Sequence, residues 1–217
     1  LAPAGVARLS MTMAELSAGQ VLSGTLRGGE PAVFATGVSD SRIQVTDVLA
    51  LRQGELGNLT VSDSTGGSRE IYRYLGLFPT DIDGDGVTEL PVPQDLLPSG
   101  DTEAGCRIRW RSYDAAGTGE DALSTYHALA DGWYLTLPES WGDALSVRTE
   151  GAGSDASLAS FGIGTGDGRI EILRIYTFSG ENRETLAAKG GRVLLSREGE
   201  TIYSAELLEA GAFTLTE

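Results

Sequence analysis

The chain has 217 residues, 41% of them hydrophobic and 22% charged, so a core can be built and a disordered tail is excluded. Sixteen Lys and Arg against thirty-one Asp and Glu give a formal net charge of −15, which opposes binding to nucleic acid or to an anionic membrane and favours cations. Length alone suggests two domains, and thirty glycines beside abundant Leu and β-branched residues suggest short strands joined by tight turns.

In chain order, the opening Leu1-Ala2-Pro3-Ala4-Gly5 carries no charged and apolar signal-peptide pattern, so a targeting segment and further upstream chain are expected to precede it. From Arg8 to about Thr60 the pattern is short alternating runs. Val21–Leu26 and Ala32–Gly37 flank Arg27-Gly28-Gly29-Glu30 and read as a hairpin. Arg42–Leu51 and Leu56–Val61 follow around a turn at Gln53-Gly54-Glu55. Such spacing marks a sandwich, a barrel or a propeller blade. Glu70–Phe78 reads as a further strand, and Pro91, Pro93 and Pro98 exclude helix beyond it.

A domain boundary is placed near residue 100. Residues 1–100 form a β-rich, repeat-like region resembling a propeller blade, and residues 101–217 a small antiparallel α+β domain. In the second part Cys106–Tyr113 alternates cleanly, Thr118–Tyr126 is compatible with strand or helix, and Trp133–Leu137 is a strand ending at Pro138. Ser140–Ala144 suits one helical turn. Leu145–Thr149, Ser157–Gly162 and Arg169–Phe178 read as strands, with a turn at Asp167-Gly168. Glu181–Lys189 is the best helix, with Gly190 as its stop, and Arg192–Ser196 with Thr201–Leu207 form a closing hairpin. The fold class is therefore mainly β with an α+β second part.

The most informative segment is Asp81-Ile82-Asp83-Gly84-Asp85-Gly86-Val87-Thr88-Glu89. Carboxylates at alternate positions can converge on one ion if the chain curls; Gly86 permits the reversal, the Val87 carbonyl adds a ligand and Glu89 closes the shell. Calcium takes six to eight hard oxygens of this kind. Four carboxylates in nine residues with no base would otherwise repel. An EF-hand is excluded, because its twelfth position is Val92 and Pro91 and Pro93 block the exiting helix. The competing reading is a solvated acidic turn. A filled cage of this type would be structural, pinning a long turn.

With its last acid at the ninth position and strands on either side, the loop resembles the calcium loops of FG-GAP or VCBS-type repeats, which occur in integrin-like propellers. Ala32–Gly37 with Thr46–Leu49, the loop with Leu90-Pro91, and Ser124–His127 through Asp131–Trp141 resemble a group of secreted lipoproteins from Gram-positive anaerobes. The pattern Trp133-Tyr134 … Leu137-Pro138 … Trp141 is similar to PsbP/Mog1-like domains. The resemblance implies an extracellular, lipid-anchored place on a cell surface and assigns no activity. The chain lacks a lipid-attachment cysteine at its start, and its first part has room for one or two blades, too few to close a propeller.

Other constellations have plain structural readings. Cys106, the single cysteine, excludes an internal disulfide and reads as a buried small hydrophobe. His127, the single histidine, excludes a three-histidine zinc site, and no nucleophile-elbow glycines surround a serine to make a triad with it. Gly162–Gly168 lacks the βαβ context of a nucleotide fingerprint. Arg107, Arg109 and Arg111 share a strand face and suit an anion or acidic-sugar site, or pairing with neighbouring acids. Trp133, Tyr134 and Trp141 together would suit an aromatic platform for glycan, but alternation groups Trp133 with Leu135 and Leu137 on a core face and leaves Tyr134 outward, so core packing is the expectation. No apolar stretch is long enough to span a bilayer.

The expected function is an extracytoplasmic, calcium-binding structural or ligand-binding module on a bacterial surface, with an unidentified surface ligand or protein as partner. The alternative is a secreted hydrolase, or an accessory domain of one, acting on cell-wall or dietary glycan. No carboxylate pair is singled out for that chemistry.

Overall fold

The structure, a computed structural model, describes residues 5–10, 18–96, 105–151 and 155–208. The expected boundary near residue 100, and Pro98 with it, lies outside the described residues. The chain forms two compact units, one of Leu1–Gln94 with Ile108–Thr125 and the other of Asp95–Arg107 with Tyr126–Glu217. The described part is mainly β, in antiparallel sheets of which none closes into a barrel.

In the first unit β1 (Ala18–Thr25), β2 (Pro31–Val38), β3 (Ile43–Arg52) and β4 (Glu55–Asn58) form a meander in chain order. The hairpin between β1 and β2 forms at the glycine pair: Leu26 N–H donates to Glu30 O, and Gly29 adopts φ 89°. β5 (Glu70–Arg73) pairs with the first half of β3, from Ile43↔Arg73 to Thr46↔Glu70, while β4 pairs with its second half. The ten-residue β3 therefore organises the sheet. The expected strand Glu70–Phe78 is cut to four residues, and Gly76 at φ 82° turns the chain away from the ladder. One sheet face carries Phe34, Val48 and Ala50, which pack with Leu26, Leu59, Leu90 and Tyr113 into the unit's core.

β6 (Leu90–Gln94) is a strand despite Pro91 and Pro93. It lies at the end of a four-stranded sheet of order β6-β7-β8-β9, where a residue without an N–H costs the ladder least. β7 (Cys106–Tyr113) alternates between buried and half-buried positions as its sequence suggests, with Cys106, Ile108 and Trp110 inward. The ambiguous segment is strand β8 (Gly119–Ala128), and β9 is Trp133–Leu137. β7 and β8 each contribute residues to both units.

The second unit contains the sheet β10-β11-β12-β14-β13, from β10 (Leu145–Gly151), β11 (Ala156–Ile163), β12 (Ile170–Phe178), β13 (Val193–Glu198) and β14 (Thr201–Leu207). Phe161, Leu145, Ile172 and Ile175 pack with Tyr126, Leu137 and Trp141. Against Tyr176, Phe178 and Ile202 lie Leu186 and Ala187 of α1 (Arg183–Ala187). The helix is shorter than the nine residues expected: Asn182, at φ −93° and ψ 7°, stands outside the helical region at its start, and beyond Ala188 the chain continues as a 3-10 turn, Lys189–Gly191. Arg192 closes its end, donating to Leu186 O at 2.7 Å and lying 3.8 Å over the Tyr176 ring. The helical turn expected at Ser140–Ala144 forms as a 3-10 turn, Glu139–Ala144.

Inside the first unit, Glu70 is buried and accepts from Tyr72 Oη at 2.8 Å, from Tyr113 Oη, and from Arg111 at 3.4 Å. Burial, and then the adjacent carboxylate, push both tyrosine hydroxyls far above their ordinary range, so both remain neutral donors. Replacing Glu70→Ala strands these donors beside a half-buried guanidinium. It should lower the unfolding free energy by about 3 kcal/mol in urea titration; a change below about 1 kcal/mol would show that the network contributes nothing net.

Candidate metal centre

The acidic loop closes at its neck. Thr80 N–H donates to Glu89 O at 3.0 Å, and Glu89 N–H donates to Thr80 O at 2.9 Å, an isolated antiparallel bridge at the two ends of the loop. The neck is tied to β1 by Thr88 N–H donating to Thr25 O at 2.9 Å, and by the contact of buried Thr88 with Gly24. A Cβ at position 24 would collide with the Thr88 hydroxyl, so glycine is what lets β1 approach. After Glu89, Leu90 enters the core.

Within the loop the backbone wraps around its own carboxylates. Asp81 accepts from Gly84 N–H at 2.7 Å and from Gly86 N–H at 3.0 Å. Asp83 accepts from Asp85 N–H at 3.2 Å, and Asp85 from Val87 N–H at 2.7 Å. Gly84 and Gly86 hold φ of 80° and 89°, a region that side chains penalise. Carboxylate oxygens of Asp81, Asp83 and Glu89 thereby lie within 4.8 Å of one another. Two oxygens bound to one calcium ion, each about 2.3–2.6 Å from it, stand no more than about 5 Å apart, so the separation fits a shared ion.

Glu89 is the unusual member. It is 1% exposed, its carboxylate accepts from Ile82 N–H at 3.3 Å, and its pKa is pushed up to about 7. Burial is the main cause and the negative charges of Asp83, Asp85 and Asp81 add to it, against the opposing Ile82 hydrogen bond. Among the described residues no Lys or Arg forms an ion pair with Asp81, Asp83, Asp85 or Glu89. A set of hard oxygens without a positive partner fits a divalent cation.

Of the five sequence-selected ligands, the structure brings together Asp81, Asp83 and Glu89. Asp85 is not in that cluster, and Val87 turns its N–H to Asp85. Sequence reading missed Thr88, Gly24 and Thr25, which anchor the loop; no local pattern announces a contact between residues more than sixty positions apart.

The arginine stripe is engaged by neighbours. Arg107 donates to Gly142 O and Asp143, both at 3.0 Å; Arg109 donates to Asp121 at 3.2 Å; Arg111 meets Asp121 and Glu70. Tyr134 is 51% exposed and stacks on buried His127, with ring centroids 5.3 Å apart. Burial pushes the His127 pKa down to about 4, so the ring is neutral at physiological pH. Trp141 is buried, and Trp133 packs against the core while its indole N–H donates to Thr177 at 3.2 Å. Cys106 is buried. In the first unit an open cleft of about 440 Å³ runs beside Arg52, Asn58, Ser62, Asp63 and Arg69. It is lined by a single carboxylate, Asp63, and Arg69 spends its donors on the carbonyls of Leu59, Thr60 and Gly117.

Comparison with family models, with curated proteins and with solved structures finds no match for this chain. No helix among the described residues is long and apolar enough to cross a membrane, which does not bear on β-barrels.

The raised pKa of Glu89 has a defined sign. Its folded value, about 7, exceeds the ordinary 4.5, so its contribution to stability is complete below about 4.5 and is lost as pH rises through 7. In chelator, the melting midpoint should rise when pH is lowered from 8 toward 5.5, and Glu89→Gln should flatten that rise. Identical pH profiles for the two proteins would contradict the assignment.

Proposed function

We propose that the chain is an extracytoplasmic, calcium-stabilised module that serves a structural or ligand-binding role on a bacterial surface. The observation that carries this reading is the convergence of Asp81, Asp83 and Glu89 at the closed neck of a loop, with a buried carboxylate and no cationic partner among the described residues. Asp81, Asp83 and Glu89 would hold the ion, with Asp85 and the Val87 carbonyl as the further ligands suggested by the sequence. The ion would neutralise mutual repulsion and fix the path from Thr80 to Leu90, whose side chain belongs to the core. Its chemistry would be structural: the loop ties down backbone, and nothing about it supplies a nucleophile or a proton to a substrate.

The extracellular location rests on the same chemistry. Calcium modules that work outside cells bind at roughly 10⁻⁴ to 10⁻³ M, concentrations met outside the cytoplasm. The likeness of the loop to FG-GAP and VCBS-type repeats, and the four-stranded meander β1-β2-β3-β4, support a blade-like first part. The α1-bearing sheet supports an α+β second part. The resemblance to anchored lipoproteins supports a cell-surface setting.

The test is thermal unfolding in EDTA and in millimolar calcium. Calcium should raise the midpoint by about 5 °C, as expected for an ion present well above its dissociation constant. Asp83→Ala should remove most of that gain, and magnesium should give less of it. A midpoint indifferent to calcium in the unsubstituted protein would overturn the reading.

A further inference from the structure

The second face of the first unit's large sheet is apolar, although the unit's core lies against the other face. The pairing register places Val21, Val33, Ile43, Leu51 and Ile71 together on it, with Ala35, Val45 and Asp47 between them. All five large aliphatics are more than a third exposed, Val21 as much as 76%. Among the described residues, its middle is what is covered. Ser10 N–H donates to buried Asp47 at 2.6 Å, Asn58 donates to Arg8 O at 3.3 Å, and Gly5 lies against Leu56. That covering segment itself exposes Val6 and Leu9.

Exposed apolar surface of more than a few hundred Å² marks an interaction site on a soluble protein. β1, β2 and β3 are eight to ten residues long and the four-residue β4 and β5 share the other edge of β3, so four strand positions about 4.8 Å apart make a face of roughly 500 Å² in projection, and more in accessible area. That approaches the roughly 800 Å² per partner of a stable interface. Charge restricts the partner. Two copies that each carry −15 repel wherever their acids face one another. On this face the register places one exposed charged side chain among the described residues, Arg73, and the covering segment adds Arg8. The face is therefore a place where two copies can approach without opposing carboxylates. A flat aliphatic surface is also self-complementary, as a two-fold contact requires.

We propose that this face is a dimer interface, formed by packing the β1–β5 sheet of one copy on that of a second, face to face at the usual spacing of about 10 Å. The contact does not depend on the calcium reading, since the loop carboxylates take no part in it. Net repulsion makes the dimer salt-dependent: it strengthens as ionic strength rises from about 0.05 to about 0.5 M, the reverse of an interface built on ion pairs.

The experiment is sedimentation velocity on the full chain from micromolar to submillimolar concentration, at both ionic strengths. A dimer should form, and the double variant Val21→Glu/Ile71→Glu should weaken it by at least about tenfold, about 1.4 kcal/mol. Val21→Thr/Ile71→Thr keeps strand propensity and should weaken it less, so a loss of dimer cannot be laid to misfolding when its melting midpoint is unchanged. A monomer across the whole range overturns the proposal. So does a dimer that neither variant weakens.

Discussion

The two backbone hydrogen bonds between Thr80 and Glu89 are the constraint on which the candidate centre depends. They bring the ends of a nine-residue acidic run together and so convert carboxylates spread along the sequence into a cluster. The closure works because its C-terminal end is held on both sides of Glu89: Thr88 by β1, and Leu90 by the core of the first unit. Gly84 and Gly86 then supply the left-handed turns that let the backbone wrap Asp81. Packing thus holds the neck, and the neck holds negative charges close against their repulsion.

That arrangement has an electrostatic consequence that the overall charge of −15 does not convey. A diffuse negative surface is screened within about 10 Å by ordinary salt. Three carboxylates whose oxygens lie within 4.8 Å, one of them buried, are screened far less. The molecule can relieve the strain by protonating Glu89 or by taking up a cation. The first relief is partial near neutrality. The second would offset two of the negative charges, and it would link ion uptake to proton release. The rest of the first unit follows the opposite policy with charge, where buried Glu70 is surrounded by two tyrosine hydroxyls and an arginine.

Much of the fold was legible because strands announce themselves locally. The alternation in Cys106–Tyr113 matches the inward turn of Cys106, Ile108 and Trp110, and the glycines at 28 and 29 mark the first hairpin. The loop carboxylates were legible because Asp at alternate positions followed by glycine is a pattern with a geometric reason. What escaped depends on partners distant in sequence. Pro91 and Pro93 argued against helix, yet they sit in a strand because β6 has an edge place. Tyr113 meets Glu70 across 43 positions, and residues Ile108–Thr125 belong with the first unit, facts that no window of the sequence contains. The helix near residue 185 is overextended in the sequence reading, because propensity and the stop at Gly190 do not reveal that Asn182 lies outside the helical region and that Lys189–Gly191 closes as a 3-10 turn.

The most direct measurement of the central claim is calorimetric titration of the chelator-treated protein with calcium, repeated at pH 7 in two buffers of different ionisation enthalpy. The account predicts one ion per chain, bound at roughly 10⁻⁴ to 10⁻³ M. It also predicts an apparent enthalpy that differs between the buffers, because Glu89 gives up a fraction of a proton as the ion enters. Absence of binding at calcium concentrations well above that range would contradict it, and so would binding with no proton released.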